Sequence, residues 1–369
     1  MTENEIVDSL RLSIVRNIGS VAAKKLIQHC GSPTAVFGDK MQRLLKIDGI
    51  GVHTVKGLFD RTYLRRAELE YQQLRKEGYE VLYFQEERYP KRLKHCPDAP
   101  VVLFQKGSIQ WDSERIISVV GTRNITKNGE RFCRDFIEAI APLNPTIVSG
   151  FAYGVDITIQ RMAHEKGLQT IGCMAHGLDT IYPKVHSRYE KTFMHHGGFV
   201  SEFWTGTPPD RENFLKRNRI IAGLSEATVV VESAEKGGSL ITADLANGYH
   251  RDVFAVPGRV NDPYSAGCNN LIKSQKAHMM TSAADLVYIL GWDIEKGPKK
   301  PARQQKLFVD MDAQEKTIYG FLQENGKQQL DTVARDLAMP VHKVSTSLFA
   351  LEMKGVVRPS PGKWYELVQ

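Results

Sequence analysis

The side chains best suited to chemistry in this 369-residue chain gather in the stretch PPDRENFLKRNR, which holds Arg211, Phe214, Arg217, Asn218 and Arg219. Arginines grip phosphate oxygens through two parallel N–H bonds. A phenylalanine beside them offers a face on which an unpaired base can stack, the way single strands are held without sequence readout. Phe214 is equally compatible with core packing at a helix start, and Arg217 and Arg219, two apart, cannot share one helix face. One of the two therefore has pairing with an acidic neighbour as an alternative role. Downstream, EKGGSLITA supplies Gly237, Gly238, Ser239 and Thr242 where a helix opens. Small residues there let backbone amides approach an anion, and the helix N-terminus adds favourable partial charge.

Three more loops carry the same kind of residue. VVGTRN provides Gly121, Thr122 and Arg123; VSGFAYGVD provides Ser149, Gly150 and Gly154, with Asp156 placed to help cap the next helix; AHGLDTIYPK adds Gly177 and Lys184. Enzymatic alternatives are weaker. The turn after the first strand reads GTRNIT, so the dinucleotide fingerprint Gly-x-Gly-x-x-Gly is absent, as is the Walker sequence. Asp156, Asp179, Glu202 and Glu232 fall near strand ends and are compatible with an acid–base pair, although such carboxylates more often cap helices or pair with arginine. A nucleotide-processing enzyme stays open as the alternative to a binding protein.

These loops need a frame. Apolar, β-branched runs at 116–120, 146–149, 169–173, 199–202, 228–232 and 253–257 alternate with segments of helical character beginning near Asn128, Gly154, Val185, Phe214 and Ser239. Continuous apolar strands alternating with helices predict a parallel sheet covered on both faces, a Rossmann-like three-layer α/β domain. Ahead of it, residues 80–107 read as two β-rich runs around a loop with prolines at 90, 97 and 100, which exclude a continuous helix. Residues 1–79 read as helical. Gly49 and Gly51 in LKIDGIGVHTVKGL frame a tight turn, and RNIGSVAAKKLI repeats the idea around Gly19, which resembles tandem helix-hairpin-helix motifs of a small SAM-like domain. A basic, proline-containing linker spans 293–309. From 310 to 369, three short helical segments and a hairpin turning at Pro361–Gly362 predict a winged helix. Its recognition helix offers only His342, Lys343 and Ser/Thr outward, so partner docking and DNA contact both stay open there.

The formal net charge of +7 favours a polyanionic partner. Five scattered cysteines, never in a Cys-x-x-Cys pair, suit neither a disulfide framework nor a zinc site. They point to a reducing cytoplasm, and neither a metal nor a cofactor is expected. The N-terminal MTENEIVDSLRLSIVRNIG lacks the apolar core of a signal peptide, and nothing later reaches the roughly 20 apolar residues of a membrane span.

In order along the chain, VVGTR, SGFAYGVD, GLDTIYP, FLKRNRIIAGLSEATVVVE, GGSLITADLA, DVFAVPG and GCNNLIKSQKA closely resemble the DprA/Smf DNA-processing family, over roughly residues 80–290. The segment Gly154-Val155-Asp156 is a mild departure from that family's usual Gly-Ile-Asp. The resemblance implies a non-enzymatic recombination mediator of natural transformation that binds single-stranded DNA, helps release it from single-strand-binding protein and loads RecA recombinase. It implies a DNA pocket built on Arg123, Arg211 and Phe214, and a homodimer through about Cys268 to Leu290. The phosphate loop of cytokinin-activating phosphoribohydrolases, which share the broader fold, requires a glutamate where this chain has Ala243 and Asp244.

Overall fold

The computed structural model describes residues 1–292, 311–360 and 362–367, so the 293–309 linker lies outside the described residues. The chain splits into two compact units, Met1–Ile294 and Glu295–Gln369.

Six helices open the first unit: α1 (Glu3–Ile14), α2 (Ser20–Cys30), α3 (Pro33–Gly38), α4 (Met41–Leu44), α5 (Val52–Leu58) and α6 (Thr62–Glu77). Thr2 and Glu5 form a reciprocal capping box that starts α1. Between α4 and α5 the chain turns through Gly49 in the left-handed region. Then come β1 (Glu80–Tyr83), the short α7 (Lys91–Lys94) behind Pro90, and β2 (Val102–Ser108). The alternating part follows as β3 (Ile116–Val120), α8 (Lys127–Ile140), β4 (Thr146–Ser149), α9 (Val155–Glu165), β5 (Thr170–Cys173), α10 (Glu190–His195), β6 (Gly197–Ser201), α11 (Arg211–Leu224), β7 (Ala227–Val230), α12 (Gly238–Gly248), β8 (Asp252–Ala255), α13 (Ala266–Lys273), β9 (His278–Met279) and α14 (Ala283–Ile289).

The strands form one nine-stranded sheet in the order β1-β2-β6-β5-β4-β3-β7-β8-β9. From β6 to β9 every pair is parallel, while β1 and β2 add an antiparallel edge beside β6. Alternate residues of β3 and β7 serve opposite cores. Ile117, Val119 and Val229 join α8, α9 and α14 through Phe136, Ile159 and Leu286, whereas Val120 and Val230 meet residues of α11 and α12 on the other face. Burial on both faces is why these strands read as unbroken apolar runs. The helical segment contributes Leu10, Leu26 and Leu58 to the second of these cores, so helices and sheet share one continuous interior.

In the sheet, two strands differ most from the sequence expectation. Strand β6 starts at Gly197 rather than Phe199, because Gly197 and Gly198 pair with Gly107 and Ser108 where backbones crowd too closely for side chains. A Cβ on Gly197, at φ 129°, would sit 2.1 Å from the Thr170 carbonyl oxygen. Glycine is a poor strand former by composition, and only this close approach makes it fit. Strand β9 is two exposed residues long and gave no apolar signal.

The second unit holds α15 (Ala313–Asn325), β10 (Gln328–Gln329), α16 (Leu330–Asp336), α17 (Val341–Met353), β11 (Val357–Ser360) and β12 (Trp364–Leu367), with its sheet in the order β10-β12-β11. Ile318, Leu322, Val333, Val344 and Leu348 fill its core. The hairpin of β11 and β12 forms the wing; Pro361 lies outside the described residues. The outward face of α17 is more apolar than the sequence suggested, exposing Val341, Phe349 and Met353. All five cysteines are free. Among the described residues no helix is long and apolar enough to cross a membrane.

One carboxylate joins the helical segment to the sheet. Glu70 of α6 is buried and accepts hydrogen bonds from Thr205 N at 2.8 Å and Thr205 Oγ1 at 2.6 Å in the loop after β6. Glu70→Ala leaves both donors without a partner at a buried joint and is predicted to lower stability by about 1–3 kcal/mol, read as a lower urea midpoint than that of the parent chain.

Candidate nucleic-acid interface

Strand order reverses beside β3. The chain runs outward from β3 through β4 and β5 to β6, then returns to lay β7 against the free side of β3. In an open α/β sheet the crevice at such a reversal, outside the carboxyl ends of the strands, is where ligands bind. A cleft of about 620 Å³ lies there. The loop after β3 lines it with Gly121, Thr122 and Arg123, the turn after β7 with Gly238 and Ser239, and α11 with Arg211, Phe214, Arg217 and Asn218.

Helix α11 starts at Arg211, one turn earlier than expected, because Asp210 caps it by accepting from Glu212 N at 2.9 Å. Arg211, Phe214, Asn218 and Ile221 then recur at helical spacing and face the cleft together. Arg219 points away. Its guanidinium pairs with Glu202 and donates to the Asp98 carbonyl. The expectation that the two arginines diverge holds, and Arg219 is the one in a direct ion pair with a carboxylate.

Arg217 lines the cleft floor but is only 4% exposed. Its Nη1 donates to the carbonyl of Gly150 at 2.8 Å and to that of Cys173, tying α11 to the ends of β4 and β5. Asp156 is its charge partner; burial pushes the Asp156 carboxyl up from its ordinary value, and Arg217 opposes that shift. Phe214, half-buried, lies between cations, with Arg123 Cζ 5.2 Å and Arg217 Cζ 5.6 Å from its ring centroid. Arg123 itself is exposed. The ring of Tyr182 stands 6.0 Å from Phe214 and lines the same cleft. From that loop the sequence predicts Lys184 and not Tyr182, whose signal is an aromatic directly before Pro183. Lys184 is exposed but not part of the cleft lining.

The small residues divide by role. Gly154 caps α9 at φ 74°, and a Cβ there would meet the Thr122 carbonyl oxygen at 2.2 Å. Thr122 O in turn accepts from Val155 N at 3.1 Å, so the Gly-Thr-Arg loop rests on the start of α9. Ser149 is buried and donates to Val119 O at 2.7 Å, and Gly150 leaves room for Arg217; neither lines the cleft. Ser239 donates to Ser233 Oγ at 2.9 Å, and Asn218 Nδ2 reaches Gly238 O at 3.5 Å. Helix α12 begins at Gly238 with no side-chain cap, and Gly237, Gly238 and Ser239 at its start line the cleft.

The four carboxylates weighed as an acid–base pair do not converge. Glu232 accepts from Thr126 N at 2.9 Å and from Thr126 Oγ1 at the start of α8. Asp179 accepts from Gly206 N at 3.0 Å, Glu202 pairs with Arg219, and Asp156 faces Arg217. Another cleft, of about 710 Å³, opens at the amino ends of the strands. Its polar groups bond one another, as Trp111 Nε1 does with Gln105 Oε1 at 2.8 Å and Gln169 Nε2 with Thr146 Oγ1 at 2.9 Å. Among the described residues no cluster of His, Cys, Asp and Glu suits a metal ion.

Arg217→Met would leave Asp156 buried without its partner and is predicted to cost about 3–5 kcal/mol of stability. Arg123→Gln should change stability by less than about 0.5 kcal/mol. Denaturant midpoints of the two variants side by side test this division between a structural and an available arginine.

Comparison with known proteins places the chain in a family. Residues 80–291 match the model of DNA recombination-mediator protein A, and residues 298–363 that of the DprA winged helix domain. Protein Smf of Escherichia coli (strain K12) is 35% identical over 286 residues, covering 76% of this chain and 75% of that protein. The X-ray structure of DNA processing protein A from Streptococcus pneumoniae superposes with a TM-score of 0.65 at 30% identity, covering 78% of this chain and 98% of that one. DNA processing protein A from Helicobacter pylori, whose structure was described for its single-stranded DNA binding mode, gives a TM-score of 0.52 at 29% identity over 57% of this chain and 95% of that one. With the fold, the order of the loops and both family models in agreement, the chain belongs to the DNA recombination-mediator protein A family.

Proposed function

We propose that the switch-point crevice holds single-stranded DNA and that the chain acts on it by binding rather than by turnover. Arg123 and Arg211 take phosphates, the opening amides of α12 take another, and a base stacks on Phe214 beside Tyr182. The single observation that carries this is Phe214: an accessible ring on a helix face, flanked by an exposed arginine, at the crevice where such sheets bind ligands. The Helicobacter pylori relative, described as binding single-stranded DNA, supports the same ligand.

In this proposal the chain works in the cytoplasm as a mediator. It displaces single-strand-binding protein from incoming strands and loads RecA recombinase during natural transformation. It does so as a homodimer through the Cys268–Leu290 segment, where Met279 and Tyr288 are 56% and 86% exposed and offer apolar surface to a second copy.

Phe214→Ala should weaken binding of an oligothymidylate by about 5- to 150-fold, equivalent to about 1–3 kcal/mol for one stacked base, with much less effect on duplex of equal length. Unchanged affinity in fluorescence anisotropy would contradict the assignment. Tyr288→Glu should shift the chain from dimer to monomer in sedimentation, and a dimer that persists would remove that segment as the interface.

A further inference from the structure

A second groove lies on the far side of α11, between the helical segment and the loop after β6, and encloses about 820 Å³. Its rim includes Pro208 and Lys216, whose chain neighbours Pro209 and Leu215 line the first crevice. Only the start of α11 separates the two cavities, and a helix with its side chains is about 10 Å across. The groove is held rigid by bonds across the joint. Besides the Glu70 pair with Thr205, Trp204 Nε1 donates to Ser13 Oγ at 3.2 Å, which fixes a half-buried indole in the groove wall.

The charges there are sorted by depth. The groove's acids are engaged: Glu202 pairs with Arg219, and the Asp98 carboxylate accepts from Tyr249 O–H at 2.6 Å. Arg66 and Lys216 are exposed and take part in no ion pair among the described residues. Arg66 lies over Trp204, its Cζ 6.0 Å from the ring centroid. An indole with a cation on its face and a second free cation nearby is the combination that holds an unpaired base and its phosphates.

We propose that this groove is a second contact for the same single strand. The strand leaves the Phe214 crevice, passes Pro208 and Pro209 over the start of α11, stacks a base on Trp204 and sets phosphates against Arg66 and Lys216. The proposal rests on the crevice holding single-stranded DNA, and it gives the helical segment a direct part in binding. Recognition is by backbone charge and stacking, so no base preference follows.

The test uses the full chain with two oligothymidylates, about 5 and about 15 nucleotides long, near the short and long ends of usual single-strand site sizes. The double variant Arg66→Glu with Lys216→Glu changes only exposed side chains. It should bind the short strand as the parent does and the long strand at least tenfold more weakly. The slope of log affinity against log salt for the long strand should fall by ~1.4, for two lost phosphate contacts. The long strand should also quench indole emission that Trp204→Phe removes. Equal affinity for the long strand, or equal losses at both lengths, overturns the groove and leaves the crevice standing. If the parent chain binds neither strand, crevice and groove fall together.

Discussion

The guanidinium of Arg217 is the strut on which the site depends. A buried charge costs several kcal/mol unless its hydrogen bonds and its counter-charge are supplied. Here the carbonyls of Gly150 and Cys173 accept from Nη1 and the Asp156 carboxylate supplies the counter-charge, while Nε has no partner among the described residues. The two carbonyls are there because strands β4 and β5 end there, Asp156 comes from the first turn of α9, and glycine at 150 leaves the guanidinium its space. Helix α11 is thereby held in one roll angle. One turn before Arg217 the same geometry presents Phe214 to the crevice, and one turn before that Arg211. The ring of Phe214 then gives Arg123, arriving from the β3 loop, a face to rest over.

Cations in this unit therefore fall into two groups with different physics. Arg217 and Arg219 are withdrawn from water and matched to carbonyls and carboxylates, so they contribute to folding and have little left for a ligand. Arg123, Arg211, Arg66 and Lys216 are exposed, where ion pairs contribute little to stability. An exposed cation beside an aromatic face is better placed to meet a phosphate than to hold a fold. The two cavities on either side of α11 are alike in this respect: each has a half-buried aromatic, Phe214 or Trp204, anchored by the scaffold with a free cation over it.

Much of this was legible in the chain. Strands β3, β4, β5 and β8 were plain because burial on both faces demands unbroken apolar runs, and the Gly-Thr-Arg, Phe214 and Gly-Gly loops were plain because strands and helices bracket them. The start of β6 was not, since Gly197 is in a strand only because β2 and β5 approach it closely on both sides. The roles of Arg217 and Arg219 were separable only as a divergence; which one is buried depends on where strand carbonyls end, and no spacing encodes that. Tyr182 was hidden for a similar reason, because it reaches Phe214 across the fold from a loop whose lysine looked more useful. The groove at Trp204 is made by residues far apart in sequence, Ser13, Arg66 and Lys216 among them, and no local pattern announces it.

The central claim is that the strand lies on Phe214 in the switch-point crevice. Ultraviolet cross-linking of the full chain to an oligothymidylate, followed by tryptic mass mapping, addresses it directly. A nucleotide adduct on the peptide from Glu212 to Lys216, which carries Phe214, is the predicted result. Adducts confined to residues 311–367, with none on that peptide, would contradict it.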